Sequence, residues 1–238
     1  DHHGLILFLF VALLGAGIRT LMASSARGPS IITGLLAALA LWVSVEALVI
    51  TAVLLLSVTI SWIVRDRPGT RDLTLLSVFL WIGVVVGVLV ERSPATFLAL
   101  EYDRLSIIHV FVISLPFLFF ASVFVIESQF PNWLQGIRRF VITLVGAGLG
   151  YGVIASIIPQ FFGGPFVDVD PRVVAVWLDK VKEVRTLIST ERPLQTAREI
   201  VFFLGHAIVA LPALAWIILR YRGSLRQAWI FIALGLTV

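Results

Sequence analysis

Residues 47–90 read ALVITAVLLLSVTISWIV-RDRPGTRD-LTLLSVFLWIGVVVGVLV: two apolar runs on either side of a charged, proline- and glycine-bearing turn. At about 1.5 Å of rise per residue, each run reaches roughly 27 Å, close to the thickness of a bilayer's hydrocarbon core. Arg65, Asp66, Arg67, Arg71 and Asp72 cannot rest in lipid, so the turn marks the point where the chain leaves the membrane and re-enters it. This stretch is a transmembrane hairpin, and the rest of the chain extends the pattern.

Upstream, residues 5–22 form an uninterrupted apolar run, closed by the small polar stretch from Ala23 to Pro29. The run at 31–64 is too long for one span and is broken at Ser44-Val45-Glu46, which makes a short helix followed by the span at 47–64. Downstream, residues 73–90, 105–126, 140–158, 201–219 and 228 onward supply further candidates, eight segments in all. The predicted fold is all-α: one polytopic transmembrane helical bundle over 1–238, with a long external loop at 159–199 that carries an amphipathic helix. The opening at Asp1 and the unfinished run at Val238 lead us to expect an internal piece of a longer membrane domain, incomplete at both ends.

Composition agrees. Hydrophobic residues make up 59% and charged residues 13%, with a mean hydropathy of +1.04, against about 45–50% and about 25% for soluble domains. A soluble enzyme, a nucleic-acid-binding module and a disordered tail are excluded as readings of the whole chain. The pI near 10.1 follows from arginines in short loops rather than from a nucleic-acid partner. With no cysteine there is no disulfide, thiolate metal site or cysteine nucleophile.

Charge also predicts sidedness. If Asp1 lies outside the cytoplasm and the segments alternate, the inside loops hold Arg19, Arg27, Arg65, Arg67, Arg71, Arg138, Arg139, Arg220, Arg222 and Arg226. Only Asp66, Asp72 and Glu127 oppose them, as the positive-inside rule requires. Asp1, the segment 91–104 and the loop 159–199 then open on one non-cytoplasmic face. A connection as long as 159–199 is commonly functional or disordered.

Several residues on that face carry possible chemistry. Asp1-His2-His3 offers a carboxylate and two imidazoles, ligand types that suit Mn²⁺, Mg²⁺ or Zn²⁺, although an Asp at a helix start is also an ordinary N-cap. In the long loop, Asp170-Pro171 reads as a helix start. Val173, Val174, Trp177, Val181, Val184 and Ile188 make an apolar stripe there, opposite Arg172, Asp179 and Glu183. Asp179 and Glu183, at i and i+4, face either a cleft or solvent. Glu46, the lone acid within an apolar run, sits at a predicted turn near the outer surface. His109 and His206 each lie a few residues inside a helix, where a hydrogen-bonding role suffices. Glu101-Tyr102-Asp103-Arg104 heads a helix, where acids suit the dipole.

Three stretches together resemble the catalytic-subunit family of oligosaccharyltransferases, membrane glycosyltransferases that use polyprenyl-phosphate donors. Asp1-His2-His3 matches the form that the family's second external Asp-x-Asp-like motif takes in archaeal members. The stretch from Gly34 to Trp42 is similar to the family's small-residue helix ending near a tryptophan. Lys180-Val181-Lys182-Glu183 resembles the family's loop motif in its Val-x-Glu core, with Lys182 standing in place of a small polar residue.

The resemblance implies that Asp1, His3 and Glu183 bind Mn²⁺ or Mg²⁺, with Asp1 and Glu183 catalytic. It implies transfer of a sugar or oligosaccharide from a polyprenyl-(di)phosphate donor to a protein or glycan acceptor on the non-cytoplasmic side. Membrane lipids are the surrounding partners, and a prokaryotic plasma membrane is the implied location. Two other classes fit the same composition: a polytopic lipid or solute transporter, and a non-catalytic subunit of a membrane complex.

Overall fold

The computed structural model describes residues 3–23, 25–65, 68–131 and 133–163, with the backbone alone at His3 and Arg65. Within them the chain is all-helical: α1 (His3–Met22), α2 (Arg27–Val43), α3 (Ala47–Arg65), α4 (Thr70–Glu91), α5 (Ile107–Gln129) and α6 (Ile137–Ile157), then a 3₁₀ turn over Pro159–Gly163. All but α2 are long and apolar enough to cross a membrane, and the chain is an integral membrane protein. The six helices correspond to the first six expected segments. The segments at 201–219 and 228 onward, and the loop beyond Gly163, lie outside the described residues.

Some boundaries shift for local reasons. α2 starts at Arg27, so Arg27, Gly28 and Pro29 form its first turn rather than a polar connection. Proline fits there because a first-turn N–H has no helical partner to lose. The break at 44–46 is a tight turn in which the Glu46 N–H donates to Ser44 Oγ at 3.3 Å, and Glu46 is exposed. Its charge therefore stands outside the apolar spans. α6 is entered through Gly136, whose φ of 55° is a left-handed value that glycine adopts without strain.

The packing is built on α2 and α4, which run closely together. A methyl on Gly34 would overlap the Leu76 carbonyl oxygen and lie 3.0 Å from Leu80 N; one on Gly83 would come within 2.5 Å of Ala38 Cβ. Around this contact Ala37, Leu41, Leu76, Leu80 and Val84 are fully buried. Lipid tails are as apolar as leucine, so helices associate in a bilayer through close approach and interhelical polar contacts rather than hydrophobic exclusion. Threonines provide such contacts: Thr20 Oγ1 lies 3.0 Å from Thr33 Oγ1 between α1 and α2, and Thr74 Oγ1 donates to the Phe120 carbonyl at 3.0 Å between α4 and α5.

α3 buries Ala47, Ile50, Thr51, Leu54, Val58 and Trp62, a stripe of helical period. α6 is different, since Arg139 is its only buried residue. Arg139 binds α6 to the bundle: it donates to the Leu134 carbonyl (3.0 Å), the Trp62 carbonyl (3.1 Å) and Glu127 Oε1 (3.4 Å), and lies over the Trp62 ring. Thr70 donates to the other oxygen of Glu127, which brings α4 into the same node.

The α2–α4 contact generates a testable expectation. Gly34→Ala pushes a methyl into fixed backbone and should lower thermal stability in detergent, by about 1–3 kcal/mol on the scale of overpacked cores. Gly148→Ala meets nothing within 4 Å and should melt like the parent. Equal melting temperatures for the two variants would show that the close approach does not hold the bundle.

Candidate functional site

The helices alternate in direction, so one end of the bundle gathers the start of α1, the 44–46 turn, the segment joining α4 to α5, and the end of α6. This is the end to which the expected site residues belong by sequence. Asp1 and Glu183 lie outside the described residues, as does the His3 side chain, and so do Asp179 and His206. The His3 backbone already belongs to the first turn of α1, two residues ahead of the expected start at Leu5. Among the described residues no three His, Asp or Glu side chains stand close enough to hold a metal ion. Any metal centre formed with the expected ligands therefore draws on residues at both ends of the described chain.

The structure does show how this end of the bundle is ordered. Arg92, just past the end of α4, is almost fully buried and turns its guanidinium across the 92–106 segment. Its Nε and Nη2 donate to the Leu105 carbonyl at 3.1 and 2.9 Å, and its Nη1 meets Glu101 Oε2 at 2.7 Å. Arg104 Nε approaches the same carboxylate oxygen at 2.8 Å. Glu101 is thus held between two guanidinium groups, and the segment is folded back over the ends of α4 and α5. A cation at the C-terminal end of α4 is also favoured by the helix dipole.

This corrects the expected role of the acids. The helix cap is not Glu101 or Asp103 but Ser106, which forms a capping box with His109. His109 Nδ1 accepts from the Ser106 N–H at 3.2 Å, and Ser106 Oγ donates to the Glu101 carbonyl at 2.6 Å. Buried His109 is therefore a satisfied structural residue, as its position within an apolar helix suggests. The Arg92–Glu101 pair was not legible from the motifs. The available signal was an arginine closing one apolar run opposite an acid opening the next.

Below this end a groove of about 430 Å³ runs between α3, α5 and α6. Its walls include Leu48, Leu55, Val112, Pro116, Phe119, Gly146 and Ile154, and Phe161 of the 3₁₀ turn lies at its edge. Pro116 lacks the N–H that would bond the Val112 carbonyl, which loosens α5 along the groove wall. Thr51 is fully buried there, and its hydroxyl has no hydrogen-bond partner among the described residues. Thr59, Thr143 and Tyr151 also line the cavity, which is otherwise apolar and of a size to accept a stretch of lipid chain. No known protein family, no curated protein and no solved structure matches this chain.

Glu101→Ala should leave Arg92 buried with a carbonyl as its only acceptor. A loss of roughly 1–3 kcal/mol is expected, less than for a fully buried pair because Glu101 is 28% exposed. Asp103→Ala, which removes one partner of a 4.0 Å pair in solvent, should leave the melting curve in place. Equal losses in the two variants would assign the ordering of the segment to something other than Arg92.

Proposed function

We propose that the chain is part of the membrane domain of a metal-assisted glycosyltransferase, one that moves a sugar or oligosaccharide from a polyprenyl-(di)phosphate donor to a protein or glycan acceptor. The observation that carries the reading is the apolar groove between α3, α5 and α6, which suits the lipid portion of such a donor. It extends toward the end of the bundle where α1 begins, at His3, the last residue of Asp1-His2-His3. A donor with its tail in the groove would present its phosphates to the aqueous edge of that end.

In this reading Asp1 and His3 hold Mn²⁺ or Mg²⁺, and Glu183 reaches the same ion from the 159–199 loop. The bound cation supplies neutralisation of the charge that builds on the departing lipid phosphate. The residues of the chain do the rest. Carboxylates and a neutral imidazole fix the charge and orientation of the site, and the apolar walls hold the donor by its tail. The salt-bridged 92–106 segment keeps the rim ordered without adding a ligand of its own.

The test is calorimetric titration of Mn²⁺ into the full chain, beside Asp1→Ala and Glu183→Ala. The proposal expects one ion to bind the parent, and each variant to weaken that binding by at least about tenfold, the minimum effect of disturbing a metal's supporting ligands. Wild-type affinity in both variants, or no binding to the parent with a polyprenyl-diphosphate sugar present, overturns it.

A further inference from the structure

The opposite end of the bundle carries a second, separate groove. It lies between the C-terminal half of α1 and the start of α2, has a volume of about 430 Å³, and is lined by Ala12, Gly15, Ala16, Ile32 and Leu36, with Arg19 at its polar end. Small side chains open it: a methyl placed on Gly15 or Gly28 would meet nothing within 4 Å. The buried Thr20–Thr33 contact joins the same two helices, each threonine next in sequence to a groove residue, Arg19 and Ile32. Arg19 occupies the last turn of α1 and is exposed, and Arg27 opens α2 beside the groove residues Gly28 and Pro29. Neither arginine has a hydrogen-bond or ion-pair partner among the described residues, whereas Arg92 and Arg139, buried in the bundle, are each paired with a glutamate.

We propose that this groove binds an anionic phospholipid, with one acyl chain along the small residues of α1 and α2 and the phosphate on Arg19 and Arg27. Two features of the groove lead to this occupant. The groove is apolar along its length and cationic at one end, the charge distribution complementary to an anionic lipid lying parallel to a span. The cationic end coincides with the end of the apolar run of α1, where a headgroup would lie if α1 spans the bilayer. Basic pockets between transmembrane helices take such headgroups, and the gain is electrostatic attraction added to tail burial. The inference is independent of sugar transfer, because the groove lies at the end of the bundle opposite to the start of α1 and uses none of the residues assigned to the donor or the metal.

The experiment is native mass spectrometry of the detergent-purified full chain, titrated in parallel with phosphatidylglycerol and phosphatidylcholine of the same acyl length. The proposal expects preferential retention of phosphatidylglycerol. Arg19→Ala should weaken it by about fivefold, the contribution of one basic residue near an anionic headgroup. Gly15→Leu, which fills the groove and leaves both arginines in place, should weaken retention of either lipid. Arg71→Ala, an exposed arginine at the same end but away from the groove, should change nothing. Equal retention of the two lipids overturns the proposal. So does an unchanged Gly15→Leu variant, which would reduce the effect to surface charge, or competition by glycerol phosphate at matched concentration, which would reduce it to a free-phosphate site.

Discussion

The approach of α2 to α4 is the constraint on which the rest of the bundle rests. Gly34 lies against the Leu76 carbonyl so closely that no larger residue fits without moving backbone. In water such a contact would be one of many ways to bury apolar surface. In lipid it is among the few forces that hold helices together, because the alternative surroundings of every leucine are equally apolar. α1 and α5 are added to this pair through threonine contacts, to Thr33 on α2 and from Thr74 on α4. α6 is tied in by Arg139 and by the close fit of Gly146 against the Phe119 ring.

The two ends of the bundle use the same device. At one, Arg92 donates to the Leu105 carbonyl and pairs with Glu101; at the other, Arg139 donates to the carbonyls of Leu134 and Trp62 and pairs with Glu127. Connections between spans leave carbonyl groups unpaired at the edge of the apolar layer, where water is scarce and an unsatisfied acceptor is costly. A buried guanidinium has donors for several acceptors at once, and a nearby glutamate keeps the charge from standing alone. Arginines counted as loop charge in a topology argument thus divide into two kinds. Some, such as Arg19, are exposed and without a partner among the described residues; others are internal parts of the fold.

The same division explains the grooves. Where Gly34 and Gly83 meet Leu76 and Ala38, α2 and α4 leave no room for a methyl between them. Where α6 meets α5 sparsely, and beside Gly15 and Gly28 of α1 and α2, an apolar space opens. The space between α1 and α2 has the exposed Arg19 at one end. That arrangement suits an amphiphile, whose tail and headgroup must be held by different surfaces.

What the amino-acid sequence determined by itself was the class of structure and the number and placement of the described spans. Those depend on runs of about twenty apolar residues bounded by charge, a signal summed over many positions. It also marked the turn at Ser44-Val45-Glu46 and a structural role for His109. It did not show which face of each helix turns inward, because a span that is apolar on every side carries no amphipathic period. Only the tertiary structure decided that, by selecting the stripes with glycine, serine and threonine: Gly34 against Leu76, Thr20 against Thr33, Ser77 and Thr51 buried. It likewise decided that Ser106 rather than Glu101 caps α5, and that Glu101 and Glu127 each hold a buried arginine. Such pairings join residues from different elements, and the distance between them is set by how the helices pack.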